Sequence, residues 1–516
     1  MPIYGFTHST QSKFQPKAVD HRSAWNSNTA VIVTVLFLVM VQGLLFSGVT
    51  TWVTERRYFI FNLLPFNLYP SDLFFLPFLI LYSFFTHSIK TAHLRTKIVH
   101  GYIFLTIIVG WQIAALAISF LDLVDQSVIT FVTIGVFVLS IVPILMLFKL
   151  LVRTDLHPLS VRWLLLLLWG STWLIGFVHG FLNDTVNLLT DMRQFLLRPL
   201  VILAVYSIGS TIDFPKAIQW LFTVSFVISI ISFLSGMLKF TGINLSSLIA
   251  SGLYGELGLL LPYALALSKA LSTSRRNSDN LWGFIFILAL GIVAPLSKPA
   301  IGGFIICTVL CVITANSISK RLSKEIIKIV LFIILLACVL LATLSFTGGA
   351  DQAENYFRTA YLKQNWETQD LSGTRFSIWR LAIETWLTNP ISGLGMGYTL
   401  TGEVLNLYAN KYVHSENFWT HNFVLQMLYQ IGLFGAGLVI IGVLSWTVQA
   451  RHVLANQTSS FKWIHQGFIS FVLTIITMSL YGQFIDHPIS GFMLWVVLGL
   501  EAAYATRFYR NISNQA

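Results

Sequence analysis

Residues 372–397 read SGTRFSIWRLAIETWLTNPISGLGMG, and residues 421–435 read HNFVLQMLYQIGLFG. Both belong to the stretch from Thr347 to about Trp446, which follows the apolar run at 326–346 and holds the one long polar segment of the chain before it re-enters a predicted span at residue 422. Each segment places a charged or titratable side chain close to the start of a predicted helix. The rest of the chain is mainly hydrophobic, so we expect its chemistry in these two segments.

The composition defines the class of protein. Of 516 residues, 55% are hydrophobic and 10% are charged, and the mean hydropathy is +0.74. A soluble globule of this length needs more polar surface. The apolar runs are continuous rather than alternating, and they are long enough for helices to cross a membrane. We therefore predict an all-α polytopic membrane protein and exclude a β-barrel.

Fourteen apolar runs are candidate spans, at roughly 30–50, 72–87, 101–121, 127–148, 161–180, 194–212, 217–238, 248–268, 281–296, 300–316, 326–346, 422–446, 463–482 and 488–506. The polar N-terminal segment has no signal-peptide pattern. The predicted organisation is a cytoplasmic tail (1–29), eleven helices (30–346), a catalytic loop outside the membrane (347–421), three helices (422–506) and a second cytoplasmic tail (507–516).

The distribution of positive charge predicts the topology. With a cytoplasmic N-terminus, most of the 32 Lys and Arg residues fall on the cytoplasmic side. This is the bias of membrane proteins, and long loops are translocated largely regardless of their charge. We therefore predict that both termini are cytoplasmic and the loop is external. The net charge of +11 does not indicate a nucleic-acid partner, because no soluble domain carries a basic cluster with interleaved aromatics.

Metal binding is not predicted. Cys307, Cys311 and Cys338 lie in apolar runs, where thiols behave as small hydrophobic groups. In the loop, the spacing of His414, Glu416 and His421 fits no metal signature.

Arg375 is the first candidate site residue. Ser372 is a favourable N-cap, and the apolar spacing after it predicts a helix with Arg375 in its first turn. A cation there opposes the helix dipole, unless Arg375 and the free backbone N–H groups bind an anion together. The alternative is an ion pair with a loop carboxylate, such as Glu367 or Asp370. Arg380 lies five residues on, about 140° round the helix, so the two arginines are not expected to face one ligand.

His421 is the second candidate. It is the last titratable residue before a predicted span, with Thr420 and Asn422 beside it. An imidazole at the water interface can accept a proton from a hydroxyl group near neutral pH. The alternative is that residues 420–422 only cap the helix. Both interpretations stay open from the residues alone.

Charged residues in or beside the predicted spans need a partner or a function. Arg193 and Lys298 lie at the outer ends of their spans, on the side of the loop. They are suited to an outward-facing cationic pocket for pyrophosphate, or they snorkel to the interface. Arg198 and Glu256 lie deeper, where we expect a mutual ion pair. The loop is also rich in aromatic residues, which stack on sugars or form an interface belt.

Residues 372–397 followed by THNFVLQMLYQIGLFGAGL (420–438), in a polytopic frame with a large loop between late spans, resemble the bacterial O-antigen ligase and O-antigen polymerase superfamily. The resemblance implies transfer of a glycan from undecaprenyl pyrophosphate to an acceptor hydroxyl. It places the reaction at the periplasmic face of the bacterial inner membrane, without a metal or other cofactor.

The resemblance also implies residue roles. His421 corresponds to the general base, and Arg375 to the loop arginine that holds the carrier pyrophosphate. Lys298, after Ser297, stands where the family has an arginine; it keeps the charge but loses the bidentate fork. Arg193 is a candidate compensating cation. Asn422 and Arg380 are further substrate-binding candidates.

Three functions compete at this stage. The favoured one is a polymerase that extends a lipid-linked chain. A ligase would instead move finished glycan onto lipid A core or a protein, and a flippase would transport the lipid-linked oligosaccharide. The expected partners are the undecaprenyl-pyrophosphate-linked donor, a glycan or lipid A core acceptor and membrane lipid, with a chain-length regulator as a further candidate. A flippase usually has its polar site near the membrane midplane, whereas these candidates collect on one outer face.

Overall fold

The structure is a computed structural model that describes residues 28–37, 161–183, 185, 188–209, 212–238, 255–272, 279–295, 297–315, 371–406, 411–418, 420, 422–457, 461–482, 484–485 and 490–513, with a few helical positions between 332 and 343. Helices and strands within these ranges are numbered in chain order.

The helices are α1 (Asn28–Phe37), α2 (Val161–Leu182), α3 (Leu188–Met192), α4 (Val201–Gly209), α5 (Phe214–Leu238), α6 (Leu260–Ser272), α7 (Asp279–Val293), α8 (Lys298–Thr314), α9 (Leu371–Thr388), α10 (Phe423–Asn456), α11 (Lys462–Met478) and α12 (Ser490–Ser513). A π-helical turn at Arg193–Leu197 and a 3₁₀ turn at Arg198–Leu200 join α3 to α4, and a 3₁₀ turn at Gly255–Leu259 precedes α6. Two strands, β1 (Leu400–Asn406) and β2 (Lys411–Phe418), lie between α9 and α10.

The prediction of a helical membrane protein is confirmed, but the number of spans is not. In the described part of the chain, three helices are long and apolar enough to cross a membrane: Leu164–Leu182, Phe214–Met237 and Phe423–Asn456. The total of fourteen spans and the external position of the loop stay predictions. The runs at 72–87, 101–121 and 127–148, and the loop at 347–370, lie outside the described residues.

Close helix packing builds the core. Gly467 of α11 faces Leu265 of α6, and Gly303 of α8 faces Leu260 and Met478, so that an added Cβ would clash at either glycine. Small residues let helix backbones approach in membrane proteins, where association depends on van der Waals packing and hydrogen bonds. The bundle of α6, α8 and α11 therefore forms one tightly packed unit.

A β-hairpin was not predicted. β1 and β2 pair antiparallel, with Val404 opposite Val413 and a register shift between Leu400 and Gly402. The sequence pattern predicts only helices and loop here. These strands are short and carry little alternation, so their pattern does not stand out within the polar segment.

The predicted span at 422–446 is also built differently. Gly432 has φ of 68° and ψ of 179°, which breaks α10 into two parts. We call residues 423–431 α10a and residues 433–456 α10b. α10b packs antiparallel to α2, because Gly435 faces Thr172 and Gly442 faces Leu165.

A buried polar cluster lies in the core, beside the middle of α10b. His465 of α11 and Glu501 of α12 are fully buried and bond at 2.6 Å, and the Trp446 indole donates to Glu501 at 3.2 Å. This cluster links three helices. Trp446, its member on α10b, lies fourteen residues after the break at Gly432.

Candidate functional site

The glycine-rich turn after α9 caps the break in α10. The Leu433 N–H donates to the carbonyl oxygen of Pro390 at 2.8 Å, and the Phe434 N–H to that of Ile391 at 3.2 Å. These bonds satisfy backbone donors that the start of α10b leaves without helical partners.

The same turn also caps the end of α10a. The Leu394 N–H donates to the carbonyl oxygen of Tyr429 at 2.8 Å, and the Gly395 N–H to that of Gln430 at 2.9 Å. The two motifs of the sequence therefore lock together through backbone bonds on both sides of Gly432. Gly395 has φ of 99°, a conformation that glycine adopts without steric cost.

Asp191 of α3 ties both motifs to the body of the protein. Its Oδ2 accepts a hydrogen bond from the Gly397 N–H at 2.9 Å and another from Gln430 Nε2 at 2.6 Å, and the side chain is buried. Neither Asp191 nor Gln430 was predicted from the sequence. The available signal was a carboxylate next to an apolar span, in the short polar run TDMRQ with Arg193.

α9 is docked beside the start of α10a. Trp379 Nε1 donates to the carbonyl oxygen of Thr420 at 2.7 Å. Ile378 and Ala382 pack in a small cluster with Tyr429. α9 and α10a therefore run side by side, with Trp379 at the Thr420 end.

Arg375 lies one turn before Trp379. Residues four apart share a face of a helix, so the backbone of Arg375 is at the Thr420 end of this pair of helices; its side chain lies outside the described residues. α9 begins at Leu371 rather than after Ser372. Arg375 is therefore at the start of the second turn and not in the first, although helix ends are defined only within one or two residues.

The chain around residue 421 is fixed on both sides. Thr420 is buried and its Oγ1 donates to the carbonyl oxygen of Asn422 at 2.9 Å. The Asn422 Oδ1 accepts from the N–H groups of Val424 and Leu425 at 3.0 and 3.2 Å. Asn422 is thus the N-cap, and its side-chain NH₂ is the part that could reach a ligand. His421 itself lies outside the described residues.

Lys298 begins α8, with Ser297 as its N-cap. One turn later, a Cβ at Gly302 would lie 2.8 Å from the Tyr481 hydroxyl, in the turn that follows α11. In that same turn the Ser479 carbonyl oxygen accepts from the Phe423 N–H at 3.0 Å. The starts of α8 and α10a therefore meet at the end of α11, and Lys298 is exposed there.

Arg193 begins the π-helical turn that follows α3. Two residues later, Phe195 stacks on Trp173 with ring centroids 4.1 Å apart, and its ring lies 5.8 Å from that of Phe423. The backbone at Arg193 is thus close to the start of α10a, while its side chain lies outside the described residues.

Two other predicted charges are placed differently. Arg380 is 82% exposed and bonds Glu384 at 2.8 Å on the surface of α9. Arg198 is fully buried. The side chain of Glu256 lies outside the described residues, so the Arg198–Glu256 ion pair stays a prediction.

The described residues contain no group of three His, Cys, Asp or Glu side chains that could hold a metal ion. Cys307 and Cys311 are buried in α8. Tyr481 lies against Gly302, one turn after Lys298. Its hydroxyl is buried and makes no hydrogen bond within the described part of the chain.

Residues 283–440 match the family model described as O-antigen ligase. This match confirms the resemblance to the O-antigen ligase and polymerase superfamily, in a segment that contains Lys298, Arg375 and His421. At a coarse level it also supports a membrane enzyme that handles lipid-linked glycans. The comparison with curated proteins finds no match.

Proposed function

We propose that this protein is a membrane glycosyltransferase that moves an oligosaccharide from undecaprenyl pyrophosphate to a sugar hydroxyl at the periplasmic face of the inner membrane. The hydrogen bond from Trp379 to Thr420 is the observation that carries the proposal. It holds the helix of Arg375 beside the turn that contains His421, and the family match covers both segments.

His421 acts as the general base. It takes the proton of the acceptor hydroxyl while the hydroxyl oxygen attacks the anomeric carbon of the donor. The new glycosidic bond forms as the bond between that carbon and the pyrophosphate oxygen breaks, with inversion. Undecaprenyl pyrophosphate is the leaving group, and no metal takes part.

Arg375 stabilises the negative charge that grows on the leaving pyrophosphate, with Lys298 or Arg193 as a second cation. Positioned cations at developing charge lower the barrier because they need no reorganisation during the reaction. The turn that carries Arg193 contacts the start of α10a, where Phe195 packs near Phe423. The start of α8, which carries Lys298, and the start of α10a both contact the turn after α11, at Tyr481 and Ser479. Asn422 and Arg380 are further substrate contacts, with Arg380 at the exposed rim.

Within this class, we favour a polymerase that extends one lipid-linked chain with another, on the length of 516 residues and the number of predicted spans. The second candidate is a ligase that attaches finished glycan to lipid A core or a protein. The matched family, described as O-antigen ligase, is compatible with both and does not distinguish them.

The test is complementation of a deletion strain with wild type, His421→Ala or Arg375→Ala, with surface glycan length and lipid-linked intermediates as readouts. His452→Ala is the control, because His452 is exposed near the far end of α10b. For a polymerase, the deletion strain carries single repeats, which wild type and His452→Ala extend and the other two variants do not.

Long chains that accumulate on undecaprenyl pyrophosphate would identify a ligase. Full rescue by His421→Ala and Arg375→Ala, at normal protein level, would overturn the catalytic roles and favour the lipid-linked oligosaccharide flippase.

A further inference from the structure

α9 has two apolar faces, and only one of them is covered. Ile378 and Ala382 are buried against α10a. Ile383 and Leu387 lie one turn apart on another side and are exposed, and Ile391 is exposed in the turn that follows. Leu387 is 60% and Ile391 71% exposed. Large aliphatic side chains in a row are an unusual surface for a helix in water.

This exposed row continues onto a predicted membrane span. Pro390 and Ile391 accept backbone hydrogen bonds from Leu433 and Phe434, the first residues of α10b. Leu433 and Phe434 are also exposed, as are Ile441, Leu444 and Val448 further along the same helix. α10b belongs to a helix apolar enough to cross a membrane. The row on α9 is therefore joined to a surface that faces lipid.

The polar neighbours of the row suit a membrane surface. Arg380 and Glu384 form an exposed ion pair on the side of α9 next to Ile383 and Leu387. Helices that lie in the interface combine an apolar face with a charged one, and arginine keeps its charged end at the level of the lipid headgroups. The Trp386 indole, which bonds the Pro390 carbonyl oxygen at 2.9 Å, is a residue type common at this level.

We propose that Ile383, Leu387 and Ile391 insert into the acyl chains of the leaflet in which α10b begins, so that α9 lies in the membrane interface and not free in the aqueous loop. A second copy of the chain is less suited to this surface. Together with Leu433 and Phe434, the row presents on the order of 500 Å² of side-chain surface, below the about 800 Å² per partner of a stable interface. The inference needs only a membrane-spanning α10b, and it does not depend on the glycan transfer proposed above.

The test uses the full chain, reconstituted in lipid nanodiscs and spin-labelled at one cysteine. Cys338 is exposed and is replaced by Ala, whereas Cys307 and Cys311 are buried. Labels are placed by Leu387→Cys and, in a second variant, Ile383→Cys. Thr388→Cys is the matched control, since Thr388 is exposed about 100° round the helix from Leu387. The readout is the collision rate of each label with oxygen, which partitions into lipid, relative to a water-soluble nickel chelate.

We expect the oxygen-to-nickel ratio at Leu387 and Ile383 to be several-fold higher than at Thr388. Equally low oxygen-to-nickel ratios at all three positions would place the row in water and overturn the proposal. Spin–spin broadening at Leu387 that disappears on dilution with unlabelled protein would also overturn it, in favour of a second copy. A high ratio that appears only after addition of undecaprenyl phosphate would overturn it in favour of the isoprenoid chain of that lipid.

Discussion

Trp379 Nε1 donates a hydrogen bond of 2.7 Å to the carbonyl oxygen of Thr420, which is 41 residues further along the chain. The bond joins α9 to the residue immediately before His421. Arg375 precedes Trp379 by one helical turn. The distance between the two proposed catalytic residues therefore depends on this contact more than on the intervening hairpin.

Trp379→Phe tests this dependence. Phenylalanine keeps an aromatic ring but lacks the indole N–H that donates to Thr420. The loss of this hydrogen bond costs about 1 kcal/mol of stability. We expect a larger effect on transfer, on the order of tenfold or more, because small displacements of reacting groups are costly. The measurement is the rate of glycan transfer from purified lipid-linked donor, corrected for folded protein.

Trp386→Phe is the control for Trp379→Phe. Trp386 lies on the same helix and its indole also bonds a carbonyl oxygen, that of Pro390, but it does not reach the Thr420 end. Equal losses of activity in the two variants would show that α9 matters only as a folded unit.

Asp191 and Gln430 form a second testable pair. Asp191→Ala leaves the buried Gly397 N–H and the Gln430 amide without this acceptor. Each buried donor that loses its partner costs about 1–3 kcal/mol, so we expect a clear fall in thermal stability in detergent. Asp191→Asn keeps one oxygen acceptor and should lose less.

A double-mutant cycle isolates the contact between these residues. Because Gln430→Leu removes the same hydrogen bond from the other side, the loss in the double variant Asp191→Ala with Gln430→Leu should be smaller than the sum of the single losses. Additive losses would mean that the 2.6 Å bond adds nothing to stability.

The helical class and the two motif segments were predictable because their signals are local. Continuous apolar runs and the cap at residues 420–422 each depend on a few adjacent residues. The contact of Asp191 with Gln430 joins residues 239 positions apart, and nothing in either segment specifies the other. The break at Gly432 was missed for a related reason. A single glycine inside an apolar run resembles an ordinary packing glycine until the carbonyl of Ile391 is known to lie against it.

The buried cluster of His465, Glu501 and Trp446 makes a different prediction. Glu501→Ala removes the hydrogen-bond partner of two buried groups, and breaking a buried pair from one side costs about 3–5 kcal/mol. We expect a large fall in thermal stability. Transfer per folded molecule should stay near the wild-type rate, because the bonds from Trp446 and His465 to Glu501 join α10b, α11 and α12 rather than α9 and the start of α10a. A selective loss of transfer in stable protein would instead connect this cluster to the reaction.

Gly432 and Gly437 give the sharpest comparison, since both lie in α10 and only one is constrained. Gly432 has a φ of 68°, and a Cβ there would meet the carbonyl oxygen of Ile391. Gly437 has no heavy atom within 4 Å of an added Cβ. Gly437→Ala should therefore change stability by less than about 1 kcal/mol. Gly432→Ala combines a strained backbone, at about 1–3 kcal/mol, with a displaced glycine turn, so we expect less folded protein and lost transfer. Equal yield and activity of the two variants in detergent would mean that α10 runs straight through residue 432. The N–H groups of Leu433 and Phe434 would then not donate to the carbonyl oxygens of Pro390 and Ile391.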